Sequence, residues 1–366
     1  MVALFLSALA LVLYSYAGYP LICFLRARLL PMSLARRSVK PQVTVIIAAY
    51  RETETIARKL DDLRAQTYPQ NLTEVVVACD GAEDDTAARA RQAAAAWGDR
   101  CKVLELARAG KPAALNQAVA VAQGEILIFT DARQPLSKNA IKALVKGLAD
   151  ETVGAVSGQL VLEGDAPVGA YWRYEAAIRR WEGQSGSTIG VSGALYALRK
   201  SLFSPLPAET VLDDLLVPMR VRLSGRRVAF EPAAQAFDRA EKSDREFFRK
   251  VRTLAGNFQL LLLAPELFFP WRNPSWFDFC SHKLSRLFVP YALVGLFLSS
   301  LALPHPLGPL LFFCQVIAYA VALLRLCNLL PAWRIFGLAE TLVVLNAAAV
   351  VALGRFIRHG RNIPWK

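Results

Sequence analysis

The chain has 366 residues, of which 54% are hydrophobic and only 20% charged, with a formal net charge of +13. That balance excludes an ordinary soluble protein of this size. Excess positive charge fits nucleic acid in principle, but here the cations cluster where a membrane protein meets anionic lipid or holds a diphosphate, so membrane lipid and not nucleic acid is the expected partner.

From Met1 through Leu25 no residue is charged, and Arg26, Arg28, Arg36, Arg37 and Lys40 follow at once. This predicts a spanning helix over residues 1–28, with the N-terminus outside and the basic flank in the cytosol. A cleaved signal peptide fits less well: there is no basic n-region, and the apolar stretch exceeds the roughly 7 to 15 residues such a segment needs.

Residues 40–258 change character, with short β-branched runs alternating with amphipathic, alanine-rich stretches. The pattern predicts an α/β domain on a largely parallel sheet. Candidate strands are Val43 to Ala49, Val75 to Cys79, Val103 to Leu106 and Ile126 to Thr130. Helices are expected at about Thr53 to Gln66, Thr86 to Trp97, Pro112 to Ala122 and Lys138 to Leu148. Ligands of such sheets sit beyond the carboxyl ends of the strands, here Tyr50-Arg51-Glu52, Asp80-Gly81 and Asp131-Ala132-Arg133. Any single Asp-Gly is an ordinary turn; three polar strand ends on one edge point to a site. No glycine-rich phosphate loop accompanies them. A nucleotide must therefore be held through its base, its ribose and a metal or cationic counter-charge.

Residues 259–284 are apolar and aromatic with flanking basic residues, the composition of a helix lying in the membrane interface. Within 285–354, Leu287 to Leu303 and Leu307 to Leu324 predict a helical hairpin around Pro304-His305-Pro306, and Ile335 to Gly354 a third apolar segment interrupted by Glu340 and Asn346. Counting every segment as a span places the C-terminus outside, whereas the basic tail at 355–366 belongs inside. Either the last segment does not span or the tail charges do not decide orientation. Six cysteines without C-x-x-C spacing predict reduced thiols.

Seven segments of the chain resemble the family 2 glycosyltransferases, particularly the membrane-bound branch with cellulose, chitin and hyaluronan synthases. Val43 to Glu52, which includes Ala48, Tyr50 and Glu52, resembles the opening strand and turn that bind the nucleotide's base and ribose. Asp80 matches the acidic residue at the base, and Lys111 in Gly110-Lys111-Pro-Ala-Ala-Leu-Asn116 matches a lysine near the donor phosphates. Asp131 occupies the first position of the family's D-x-D, whose carboxylates hold Mg²⁺ or Mn²⁺; Arg133 stands where the second Asp belongs. One carboxylate with phosphates and waters suffices for Mg²⁺, so a metal at Asp131 is expected.

Gly190 to Arg199, with Gly193, resembles the small-residue loop beside the donor sugar. Asp213 and Asp214 resemble the T-E-D motif, Asp214 in the place of the catalytic base; alone, the same pair is an ordinary helix start. Arg252 matches the diphosphate-binding arginine of Q-x-x-R-W, but Arg249 and Thr253 replace its glutamine and tryptophan. In the synthases that tryptophan stacks on the growing polymer.

The resemblance implies a GT-A (Rossmann-like) domain and an inverting transfer from a nucleotide-sugar, uridine being the usual base, in a bacterial inner or cell membrane. The acceptor is either a saccharide, giving a polysaccharide or oligosaccharide, or a lipid such as a polyprenyl phosphate or ceramide-like molecule receiving one sugar. A third possibility from another class is a non-catalytic nucleotide-sensing scaffold, to which Arg133 lends its support.

Overall fold

The N-terminal apolar run forms a nearly continuous helix: α1 (Val2–Leu13), a wide turn (Tyr14–Gly18) and α2 (Tyr19–Leu29). With no charged residue before Arg26, it is long and apolar enough to cross a membrane. This computed structural model describes residues 1–366 except 36, 38, 82, 164–167, 240–242, 332 and 365–366; Arg36 of the basic flank thus lies outside the described residues.

The β-branched runs become strands because their side chains are buried on both faces of a sheet covered by helices. β1 (Val43–Ala49) leads through α3 (Ile56–Arg64) to β2 (Thr73–Asp80), and α4 (Thr86–Ala94) leads to β3 (Cys101–Leu106). α5 (Lys111–Val121) returns to β4 (Ile126–Thr130), followed by α6 (Ala140–Gly147). All four expected strands are present, and they pair in parallel in the order β3-β2-β1-β4. Their register sets Ala48 opposite Ala78 and Ile46 opposite Phe129, which brings the carboxyl ends of β1, β2 and β4 to one edge.

Three further strands extend the sheet beyond those the sequence predicts. After β5 (Val153–Glu163) come α7 (Val168–Ser185), β6 (Leu195–Arg199), α8 (Asp213–Leu223), β7 (Arg227–Arg239) and α9 (Ser243–Leu263). The full order is β3-β2-β1-β4-β6-β5-β7, and β6 runs antiparallel to both neighbours, so the sheet is mixed. β7 contains Pro232 and four alanines, which weakens its strand signal.

Residues 259–284 do not form one interfacial helix. Pro265, Pro270 and Pro274 interrupt the chain, which makes a short 3-10 turn (Pro265–Phe268) before helix resumes at α10 (Trp276–Phe279) and runs on through a wide turn (Cys280–Leu284) into α11 (Ser285–Ser300). Trp271 remains 76% exposed. Two helices meet around Pro304-His305-Pro306, α11 and α12 (Leu307–Leu326), followed by α13 (Arg334–His359); α11, with 16 residues, is not among the described helices long and apolar enough to span. Residues Leu307–Leu326 and Ile335–His359 are each long and apolar enough to span. Leu310, Phe313, Ile317 and Leu323 point outward from α12, the arrangement of a helix that faces lipid.

A buried polar network locks the N-terminal helix onto α7 and the start of α11. His282 bonds Glu182 through Nδ1 at 2.7 Å and Glu175 through Nε2 at 3.2 Å, and the Tyr19 hydroxyl donates to Glu182 at 2.6 Å. Arg286 pairs with Glu175, and Arg26 with Asp278 at 2.7 Å. Burial favours the neutral forms of Glu175 and Glu182, but Arg286 and His282 outweigh it at Glu175, and His282 and Tyr19 at Glu182. Both carboxyls lie below their ordinary value of 4.5. They therefore add stability above pH 4.5, and it is lost as acid titrates their depressed folded-state values. His282→Ala leaves two buried carboxylates short of a partner, a cost of about 3–5 kcal/mol. We expect a clear fall in the thermal unfolding midpoint in detergent, whereas an unchanged midpoint would show that the network contributes nothing.

Candidate active site

Each of the three polar strand ends continues into a turn that carries site residues. After β1, Tyr50 leads to Arg51, which is held at φ 56°, an uncommon conformation for a side chain of its size. Arg51 is fixed by Glu83 at 2.5 Å, and Tyr50 donates to the same carboxylate at 3.1 Å. Glu52 accepts from the Thr55 hydroxyl, and its own backbone N–H donates to Thr86 at 2.8 Å, so its carboxylate is engaged in the turn itself. Ala48 sits half-buried against the core one step back on β1.

Asp80, at the end of β2, is 3% exposed. It accepts from the backbone N–H of Ala109 at 2.7 Å and of Gly110 at 3.0 Å, and it pairs with Arg108. The same guanidinium lies 3.5 Å from the centre of the Tyr50 ring. Asp80 thus shapes the loop before α5, and Arg108, which the sequence reading did not single out, joins it to Tyr50. Gly110 completes this loop with φ +92°, where a Cβ is strained, and it turns Lys111 into the first position of α5.

Lys111 is the hub of the site. Its Nζ lies 3.3 Å from Asp131 at the end of β4 and 3.5 Å from Asp213 at the start of α8. Burial disfavours the ammonium, but Asp131, Asp213 and Asp214 outweigh that and hold its pKa above the ordinary value. Beside it, the backbone N–H of Val191 donates to the carbonyl of Asp214 at 2.9 Å, which pins the small-residue loop against α8. A Cβ on Gly193 would stand 3.5 Å from Asp214 Oδ2, so any longer side chain would cover that carboxylate.

Asp214 stands beside Asp213 in the first turn of α8. Burial first, then the negative charge of Asp213, pushes its pKa up to about 6, while Lys111, Arg179 and Lys283 pull the other way. A carboxyl raised toward neutral pH has the property a general base needs. Arg252, on α9, is near both aspartates. Burial pushes its pKa down; Asp214 and Asp213 oppose this, while Arg249 and Arg133 reinforce it. Arg249 lies 5.7 Å from the Trp172 ring and Lys250 5.1 Å from it.

Arg133 does not hang free in the place of the missing carboxylate. It pairs with Asp238 on β7 at 3.2 Å, and Gln134 donates to the same oxygen at 2.8 Å. Lys59 supports this loop from below by donating to the Gln134 carbonyl at 2.7 Å, and burial pushes its ammonium down to about 8. Tyr196, stacked on Phe129 at 4.6 Å, is also close to the carboxylates; burial first and then Asp213, Asp214 and Asp131 raise its phenol well above the ordinary value.

A cavity of about 320 Å³ unites Lys111, Asp131, Arg133, Gly193, Asp213, Asp214, Arg249 and Arg252. It does not include Ala48, Tyr50, Glu52 or Asp80, which line the adjoining strand ends. The cavity continues past Asp214 to Trp172, Arg179 and Lys283, then to Tyr16, Leu345, Asn346 and Ala349 on the apolar helices. The indole N–H of Trp172 and the side-chain carbonyl of Asn257, both on its wall, are buried with no hydrogen-bond partner among the described residues.

Among the described residues there is no group of three or more side chains arranged to hold a metal alone. Asp131 nevertheless fits a shared site: one oxygen meets Lys111 and the 37% exposed side chain opens into the cavity, as a cation bound mostly by phosphate and water requires.

Residues 44–203 match the profile of Glycosyl transferase family 2. Over 124 residues the chain is 31% identical to an N-acetylglucosaminyltransferase of Rhizobium leguminosarum bv. trifolii, which covers 33% of this chain and 68% of that protein. It is 28% identical over 211 residues to a beta-monoglucosyldiacylglycerol synthase of Trichormus variabilis, 53% of this chain and 44% of that protein. The chain spans 31% to 58% of the length of several such relatives. In three dimensions it is similar to the mannosyltransferase PcManGT from Pyrobaculum calidifontis, solved in complex with GDP-Man and Mn²⁺. Identity there is 25% and the TM-score 0.75, with 97% of this chain and 99% of that chain covered.

Proposed function

Given that this chain belongs to glycosyl transferase family 2, we propose that it transfers a sugar, with inversion, from a nucleoside diphosphate to a lipid-borne acceptor at the membrane. The observation that carries this reading is one cavity that joins Asp214, Lys111 and Asp131 to the apolar helices. In the reaction Asp214 takes the proton of an acceptor hydroxyl as its oxygen bonds the anomeric carbon. The bond from that carbon to the diphosphate breaks, and its electron pair leaves with the nucleoside diphosphate. Lys111 and Arg252 meet the charge that builds on that leaving group, a task for preorganised cations. Asp80, Tyr50, Arg108, Ala48 and Glu52 form the end that takes base and ribose, and Gly193 lets the sugar approach Asp214. Because the mannosyltransferase complex contains GDP-Man, we leave the base open between uridine and guanosine.

Asp131 would hold Mg²⁺ or Mn²⁺, which when bound supplies positive charge against the diphosphate. The solved neighbour with Mn²⁺ supports divalent metal use. We expect excess chelator to reduce transfer by at least about tenfold and added Mn²⁺ or Mg²⁺ to restore it, since one strong electrostatic contact of this kind is worth that much or more. Undiminished transfer under chelation would leave the role to Lys111, Arg252 and Arg133.

Of the two acceptor classes the sequence leaves open, we place the lipid ahead of a growing polymer. Thr253 offers no aromatic platform on α9, and the acceptor end of the cavity meets Tyr16, Leu345 and Ala349 of helices long enough to span. The name of the diacylglycerol-modifying relative supports a lipid as well. A silent sensor has no use for a carboxylate that opens, with Lys111 and Asp131, into a cavity reaching the apolar helices. The test is the anomeric configuration of the product, read by NMR after incubating the full-length protein in vesicles with a panel of nucleotide sugars. Inversion supports a single displacement, and retention overturns the role given to Asp214.

A further inference from the structure

The cations at the membrane end of the cavity distinguish between kinds of lipid. Arg179 on α7 and Lys283 just before α11 both line it, and among the described residues neither has a hydrogen bond or an ion-pair partner. Glu175 is taken by Arg286 and His282, and Oε1 of Glu182 by His282 and Tyr19, while the buried Oε2 of Glu182 has no hydrogen-bond partner among the described residues. Enclosure pushes the Lys283 ammonium down from its ordinary value; Glu175 opposes this, and Arg179 and Arg286 add to it. Asp214, Glu175 and Glu182 act on these cations only from beyond ion-pair distance, and two enclosed cations with no direct partner cost folding energy. An anion entering that space offsets the cost.

Spacing on α7 gives the site its shape. Trp172, Glu175 and Arg179 follow at intervals of three and four residues, so they share one face of the helix. Trp172 presents an indole N–H with no partner among the described residues, and Arg179 lies about two turns further on. Tyr16 of the N-terminal helix and Asn346 of α13, hydrogen-bonded at 3.2 Å, form the wall on the lipid side.

We propose that Arg179 and Lys283 bind the phosphate of a phosphate-bearing lipid, so that the acceptor is an anionic lipid and not a neutral diacylglycerol. The phosphate anchors the molecule, Trp172 donates to the polar group that it carries, and a hydroxyl of that group faces Asp214. The apolar chain leaves past Tyr16, Leu345 and Ala349. A neutral lipid would give neither cation a direct partner. This inference rests on the reading of the chain as a transferase with a lipid acceptor, but the test for it requires no turnover.

The experiment measures binding to the full-length protein in detergent, by native mass spectrometry, of a polyprenyl monophosphate, the corresponding polyprenol, a diacylglycerol and inorganic phosphate. Arg179→Gln and Lys283→Gln are examined singly and together, with the unfolding midpoint of the ligand-free protein recorded alongside. Polyprenyl phosphate is expected to bind at least about tenfold more tightly than polyprenol or diacylglycerol, as a desolvated charge pair allows. The double variant should lose that preference while its ligand-free midpoint stays level or rises, because neutral side chains relieve the unpaired charges. Equal binding of neutral and phosphorylated lipid, or a preference that survives in the double variant, would overturn the proposal. So would a marked fall in the ligand-free midpoint, which would make the cations structural, or inorganic phosphate binding as tightly as the lipid. None of these outcomes bears on Asp214, whose own variant tests the transfer reaction separately.

Discussion

Asp214→Asn is expected to reduce transfer by at least about 10² to 10⁴ while nucleotide binding stays near that of the parent protein, because general-base assistance is worth about that much. The substitution keeps the size of the side chain and removes its ability to take a proton. It also removes one of the two adjacent carboxylates, so the domain should be no less stable. Asp213 cannot take over, since Lys111 already lies 3.5 Å from it. With a pKa near 6, Asp214 is protonated and idle in acid and becomes active as pH rises. The plot of kcat/KM against pH should therefore show an acid limb near 6 in the parent protein. Retained turnover in the asparagine variant would remove Asp214 from the reaction.

Lys111→Met should be nearly as damaging, for a different reason. The Lys111 ammonium meets Asp131 and Asp213 and also offsets Asp214, so its loss leaves three carboxylates in one cavity without their central cation. Donor affinity should fall because a negatively charged diphosphate then enters a negative site. The rate should fall by about 10² to 10³, the usual effect of deleting one preorganised charge contact. The acid limb should also move to higher pH, because Lys111 is one of the groups that hold the pKa of Asp214 down. An unshifted limb would show that Lys111 does not act on Asp214, whatever its effect on binding.

The strand-end half of the cavity is legible in the sequence because each of its residues follows a strong local signal. Asp80 and Asp131 end β-branched runs, Lys111 follows a glycine that starts a helix, and Asp213 and Asp214 open another. Local signals also place the hairpin and the four parallel strands. The half that reaches the apolar helices depends on chain segments that are distant in sequence. Trp172 and Arg179 lie on α7, and their importance emerges only when that helix packs against α2 and His282 bridges Glu175 to Glu182.

Similar physics explains the remaining differences. Asp238 is the partner of Arg133, but it lies at the end of β7, whose alanines and proline carry little strand signal, so sequence alone leaves Arg133 looking like a stray charge. Arg108 sits in a loop with no periodicity at all, and only the geometry shows it over Tyr50 and on Asp80. The stretch after α9 has the composition of an interfacial helix, yet three prolines decide its backbone. Composition gave its affinity for apolar surroundings without its conformation.

The most direct test of sugar transfer to a membrane-borne acceptor follows a radiolabelled sugar from its nucleotide into products made by the full-length protein in membrane vesicles. The label should enter one discrete species that extracts into organic solvent, and the Asp214→Asn variant should leave it on the nucleotide. Label recovered only as free sugar, or in a water-soluble ladder of lengthening polymer, would contradict a lipid-borne acceptor.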